Sequence, residues 1–231
     1  MSTPEFDDYA EAYLEDHAKN TRLTGEEPDY FARYKIAEIS RRLGAARDAR
    51  PGSILDFGTG IGNSLPHLRA IFPDAKITGL DVSSKSIRIA AQRFPGVADL
   101  VSYDGDQIPL PEQSFDLIFS SCVFHHIDAD QHIAIFERLR RLLSPAGRLV
   151  VFEHNPINPV TRYIVATCPF DENAVLIPAG EFRRRQRQAG FSKVGVTFTG
   201  FFPAALAALR PLEPWLGHIP LGAQYYTWAR P

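Results

Sequence analysis

Sulfur is scarce in this chain: 231 residues carry two cysteines, Cys122 and Cys168, and one methionine. The cysteines lie far apart and in no Cys-x-x-Cys spacing, which excludes a disulfide-stapled mini-fold and suits a reducing compartment. Neither sign of charge is in excess. The 25 Lys and Arg against 27 Asp and Glu leave a net charge of −2, so there is no overall basic field to gather nucleic acid. Long apolar runs are missing too, and none approaches the roughly 18 to 20 residues of a membrane span. The N-terminal "MSTPEFDDYAEAYLEDH" is acidic and lacks an apolar stretch. It is expected to be neither a secretory signal nor a transit peptide, and the expected location is cytoplasmic. What is present is ordinary: 45% hydrophobic and 23% charged residues, enough to bury a core without staples.

Residues 1–47 read as helical. Phe6, Tyr9, Tyr13 and His17 fall near helical spacing, and "DYFARYKIAEISRRLG" repeats the pattern up to a stop at Gly44. From Pro51 the rhythm changes to short apolar runs alternating with amphipathic segments, which predicts βαβ units and a parallel sheet. Near-continuous apolar runs such as "LIFSSCVF" and "RLVVFE" fit strands covered on both faces. Further on, "AGEFRRRQRQAGF" predicts a helix ending at Gly190. "KVGVTFTGFF" and "AQYYTWAR" alternate like strands around an apolar stretch from Pro203 to Gly222. The arginines of "FRRRQRQ" read as a solvated helix face, with no aromatic interleaving for base stacking. One domain is expected over 1–231: a helical cap over 1–47, a ligand-binding half over 48–155, and an acceptor-side half with lid segments over 156–231.

"ILDFGTGIGNS", Ile54 to Ser64, places three glycines at alternate positions where a strand hands over to a helix. Glycine there permits positive φ and close approach of a ligand to the backbone. The dinucleotide fingerprint G-x-G-x-x-G fails, because its third position falls on Asn63 or Leu65. The pattern is instead Asp56, Gly58, Gly60, Gly62. A carboxylate beside the loop would repel a pyrophosphate and attract an ammonium.

These residues resemble the first motif of the class I S-adenosylmethionine-dependent methyltransferases, an acid followed by Gly-x-Gly-x-Gly. The resemblance continues in order. Asp81, closing the strand in "ITGLDVS" about 20 residues on, matches the acid that holds the ribose hydroxyls, with Val82 beside it among the cofactor contacts. Asp104 and Gly105 in "YDGDQIPLPEQSFD" match the acid and small residue at the adenine, and Ser121 falls where the fourth strand adds a contact. The match spans roughly residues 51–155. Taken singly, each acid could equally be a cap or turn residue. Jointly they imply a Rossmann-like α/β fold: a seven-stranded, mostly parallel sheet with an antiparallel last strand, helices on both faces and an N-terminal helical cap. They also imply S-adenosyl-L-methionine as cofactor and S-adenosyl-L-homocysteine as product. Tyr13 is the tyrosine assigned to the cofactor's cation–π face, although a packing stripe explains any single tyrosine as well.

A methyl acceptor that must lose a proton calls for a base. His125, after the fourth strand, and His154, after the fifth, are the candidates, with Asn155 as a polar orienter. His125 and His126 are expected to point to different sides. His125, His126, Asp128 and His132 form no recognised ligand spacing, so no metal is expected. Asn155-Pro156 is set aside as an amino-methyltransferase motif, because it follows the fifth strand and not the fourth. The expected partner is a small-molecule acceptor methylated at oxygen, with no nucleic acid and no membrane span. Transfer to carbon or nitrogen, cofactor binding without methyl transfer, a nicotinamide oxidoreductase and a homodimer stay open.

Overall fold

The structure is a computed structural model that describes residues 25–44 and 50–231. The expectations for Tyr13 and for the rest of 1–24 and 45–49 lie outside the described residues. Seven strands form one sheet: β1 (Ser53–Phe57), β2 (Lys76–Asp81), β3 (Asp99–Ser102), β4 (Phe115–Ser121), β5 (Leu143–His154), β6 (Lys193–Thr199) and β7 (Gln224–Arg230). Their order is β3-β2-β1-β4-β5-β7-β6. The pairings among β1 to β5 are parallel, and β7 runs antiparallel to both of its neighbours. The expected sheet, with its reversed last strand, is therefore the observed one.

Side-chain alternation explains how the sheet is covered. On β5, Leu149 and Val151 face one core while Val150 and Phe152 face the other. The first core is closed by α4 (His132–Leu142) and α6 (Ala179–Gln188), through Phe136, Leu139 and Phe182. The second is closed by α1 (Pro28–Leu43) and α2 (Leu65–Ile71), through Ile36, Ile39, Leu65 and Leu68. Between β2 and β3, α3 (Ser84–Arg93) starts at Ser83, whose hydroxyl accepts the Ser86 N–H at 3.0 Å, an N-cap that meets an otherwise orphaned donor. Asp116 of the "SFD" match accepts the Gly52 and Ser53 N–H groups at 2.9 and 3.1 Å. It ties the starts of β1 and β4 together, far from the end where ligands bind.

Beyond β5, α5 (Pro159–Ala166) is capped by Asn158, whose side chain accepts the Thr161 N–H at 3.0 Å. The stretch expected as an apolar loop from Pro203 to Gly222 holds a 3-10 segment (Ala204–Leu212) and the short α7 (Glu213–Leu216). Glu213 ties it to α1 by accepting the Tyr34 hydroxyl at 2.6 Å, and it also takes the Phe201 and Phe202 N–H groups. Among the described residues no helix is long and apolar enough to cross a membrane.

Candidate active site

The carboxyl ends of β1 to β5 share one edge, and strand order reverses between β1 and β4, the crevice where open α/β sheets take ligands. The glycine loop leaves β1 there. Gly58 and Thr59 both donate to the Leu80 carbonyl, at 2.8 and 3.1 Å, which folds the turn onto β2. Gly58, Gly60 and Gly62 all have positive φ. A Cβ on Gly58 would lie 2.3 Å from Val123, and one on Gly62 would press on Leu65, Ala90 and Phe94. A Cβ on Gly60 would meet nothing within 4 Å, so the middle glycine borders open space. Asn63 has a local use: Arg93 donates to its side chain at 2.8 Å and to the Ile61 carbonyl at 2.7 Å, bracing the loop from α3.

Asp81 accepts the Gly60 N–H at 2.7 Å on one oxygen and the Ser83 N–H at 2.9 Å on the other. The group is thus oriented by its own loop, with its two oxygens fixed at the mouth of the crevice. Asp56 is buried and accepts the Thr59 hydroxyl at 2.8 Å. Burial pushes its carboxyl up to about 7; the Thr59 bond opposes this and the Asp81 charge adds to it. A group titrating near ~4 unfolded and about 7 folded binds more protons in the native state between those values. Stability from this group is therefore largest at low pH and falls as pH rises through that window. Ligand-free protein should lose melting temperature between pH 5 and about 7 through this group, and Asp56→Asn should flatten that part of the profile. An unchanged slope in the variant would remove Asp56 as the cause.

Asp104 lies beyond the end of β3 and is exposed, with one oxygen accepting the Asp106 and Gln107 N–H groups. Those bonds hold its carboxyl below the usual range. Gly105 has φ +87°, and Val82 is its nearest side-chain neighbour. The Ser121 hydroxyl accepts from Lys35 Nζ of α1 at 2.6 Å. Lys35 is buried, and its other polar partner is the Cys122 sulfur at 3.4 Å. Cys122 itself sits in the left-handed region at φ 57°. Burial would raise its thiol, yet Lys35 and His154 outweigh that and bring it down to about 6.

The histidines meet in a second cluster next to this one. The turn Phe124–His126 is a 3-10 helix, with about 120° between successive side chains where a strand gives about 180°. His125 and His126 therefore do not point to different sides: their rings lie 4.1 Å apart and both reach Asp171. Phe124 anchors the turn from below, stacked on Phe136 at 4.5 Å and edge-on to Phe182. His125 is buried, with Nδ1 2.6 Å from Glu153 Oε2 and Nε2 3.4 Å from Asp171 Oδ1. Burial disfavours its charge, but Glu153 and Asp171 prevail and push it up to about 10. Burial, with the neighbouring His125 charge, takes His126 down to about 4. His154 is half-buried, its ring 5.2 Å from His125 and near enough to the Cys122 thiol to act on it electrostatically. Asn155 is a clamp, donating to the Pro220 and Gly222 carbonyls at 3.0 and 2.8 Å. His132 is held at both nitrogens by Arg185 and the Ile127 carbonyl, and Asp128 is exposed.

Lys35, Cys122, Glu153 and Asp171 were not singled out from sequence. Glu153 did carry a signal, an acid ending the apolar run "RLVVFE", the same signal that marks Asp56 and Asp81. The other three reach the site only through tertiary packing.

A family model described as "Methyltransferase domain" matches residues 54–147. A trans-aconitate 2-methyltransferase of Methylobacterium nodulans is 32% identical over 159 residues, 65% of this chain and 57% of that protein. A malonyl-[acyl-carrier protein] O-methyltransferase of Methylococcus capsulatus is 28% identical over 189 residues, 78% of this chain and 66% of that protein. The chain thus spans less than two thirds of the length of these relatives. A crystal structure of a Thermotoga maritima S-adenosylmethionine-dependent methyltransferase, described as a possible histamine N-methyltransferase, superposes with TM-score 0.67 at 18% identity, over 97% of both chains. That likeness is one of fold.

Proposed function

We propose that this chain, which belongs to the class I S-adenosylmethionine-dependent methyltransferases, transfers a methyl group to an oxygen of a small acidic acceptor. The observation that carries the reading is Asp81, oriented by its own loop at the end of β2, beside a Gly60 that borders open space. The residues present fit the cofactor. Asp81 would take the ribose hydroxyls, the backbone at Gly60 would admit the amino-acid part, and Val82, Asp104 and Gly105 would border the adenine. Asp56 supplies a buried carboxylate whose charged form a nearby ammonium would favour. S-adenosylmethionine supplies an electrophilic methyl on a sulfonium, so the protein's main task is alignment, worth roughly 7 to 11 kcal/mol when geometry is good.

The acceptor side is assigned to the ends of β4 and β5. Lys35 holds a buried ammonium there, against the Ser121 hydroxyl and the Cys122 sulfur. That ammonium would draw an anionic acceptor, and the relatives named for trans-aconitate and malonyl substrates favour an acid. Of the two candidate bases we assign proton removal to His154. His125, held between Glu153 and Asp171, is assigned to positioning. The helix α1 and the segments 156–178 and 203–222 would close over the acceptor within a single domain.

The test is release of S-adenosylhomocysteine across a panel of small carboxylic acids, phenols and amines. Turnover with acids or phenols supports the reading. Turnover only with amines would move the acceptor atom to nitrogen, and binding without product from any acceptor would leave a non-catalytic binding protein. With an active acceptor, His154→Ala should cut kcat on the order of 10²-fold while cofactor affinity stays near normal. Unchanged kcat would remove His154 as the base.

A further inference from the structure

We propose that His125, His126 and Asp171 form a binding site for one divalent transition-metal ion of the zinc type. The site shares His125 with the positioning role given above, a metal ion there taking the place of a proton on its Nε2, and its other two ligands have no part in the cofactor or acceptor chemistry assigned above. The three ligand atoms lie within 4.8 Å of one another. Both histidine Nε2 atoms stand 3.4 Å from the same oxygen, Asp171 Oδ1. That spacing is informative. Two ligands each ~2.0–2.1 Å from a tetrahedral zinc ion are about 3.4 Å apart, whereas a direct charge-assisted N–H···O bond closes to ~2.7–2.9 Å. The same His125 ring shows both behaviours: Nδ1 is drawn to 2.6 Å from Glu153, while Nε2 stops at 3.4 Å from Asp171.

The surroundings resemble those of a metal-bound imidazole. A ligating histidine usually gives its other ring N–H to a carboxylate, which fixes the tautomer and strengthens the donor. Glu153 is that carboxylate, and its second oxygen is held by the Val123 and Phe124 N–H groups at 3.2 and 2.8 Å. The loop that brings Asp171 is pinned independently, since Val175 N–H donates to the His125 carbonyl at 2.8 Å. Two imidazole nitrogens and one carboxylate oxygen suit zinc, cobalt, nickel or ferrous iron more than magnesium or calcium. A cavity of about 260 Å³, lined in part by His125, His126, Asn173 and Arg185, adjoins the two rings and leaves room for water or a small anion as the remaining ligand.

The competing account is a plain ion network in which two carboxylates hold an imidazolium and no metal binds. Titrating the tag-free full-length protein with Co²⁺, followed by displacement with Zn²⁺, separates the two. The proposal expects saturation near one equivalent, with the intense visible absorption of four-coordinate cobalt that Zn²⁺ removes. Asp171→Asn and His126→Ala should each weaken binding at least about 100-fold, more than the ~10- to 100-fold typical of losing an outer-sphere partner. Asp128→Asn, on the exposed rim, should bind as the parent does. Absence of saturable cobalt absorption in the parent protein overturns the proposal whether or not the variants fold. An isotherm unchanged in both ligand variants overturns it too, by placing the metal elsewhere.

Discussion

Replacing Asp81 by alanine should weaken S-adenosylmethionine binding by about 10²- to 10⁴-fold. Each hydrogen bond to a charged group contributes ~1.5–3 kcal/mol net, and the two ribose hydroxyls assigned to Asp81 sum to ~3–6 kcal/mol, or about two to four decades in Kd. The same carboxylate also holds the Gly60 and Ser83 N–H groups at 2.7 and 2.9 Å, so its loss loosens the glycine loop as well. Asp81→Asn keeps the shape and one acceptor oxygen and should fall between alanine and the parent. Calorimetric titration with S-adenosylhomocysteine measures both. A loss below tenfold in the alanine variant would place the ribose somewhere else, even though the glycine loop would still mark the crevice.

Truncating Glu153 to alanine should be the most destabilising change near the site, at about 3–5 kcal/mol. Breaking a buried ion pair by removing one partner strands the other, and that stranded charge is the source of the cost. Here the stranded partner is His125, almost wholly buried, and the Val123 and Phe124 N–H groups lose their acceptor with it. Glu153 therefore supports the β4 end three times over. Urea unfolding of the two proteins, compared at the midpoint and for equal slope, reads the difference. A change under about 1 kcal/mol would mean that His125 simply sheds its proton and that the turn carries itself. Glu153→Gln, which keeps an acceptor oxygen, should recover part of the loss.

These two carboxylates contrast in how far sequence reading reached them. Asp81 was found because an acid closing an apolar strand, about 20 residues past a glycine loop, is a pattern in one dimension. Glu153 closes an apolar strand in the same way, but no glycine loop stands at a telling distance before it. Asn155 then proved to be a clamp on 220–222 through two carbonyls. The histidine pair shows a different kind of failure. Adjacent residues diverge on an extended chain, and "FHH" gave no sign that it would wind into a 3-10 turn. Its companion Asp171 lies 45 residues beyond His126, on another 3-10 turn.

The sequence by itself determined the α/β class, the order of strands and helices, the seven-stranded sheet and the choice of cofactor family. The class and the element order follow from periodicity along the chain; the seven-stranded sheet and the cofactor were implied by the family resemblance that the motifs carry. Asn63, the residue that spoiled the dinucleotide fingerprint, was part of that information, and the structure adds only that Arg93 braces it. Tertiary structure alone decided that a lysine of α1 is buried against Cys122, that His125 lies between Glu153 and Asp171, and that His126 joins it at one oxygen. The reason is physical. Burial and the field of a neighbouring charge are set by residues brought close through folding, and in sequence those residues stand dozens of positions apart.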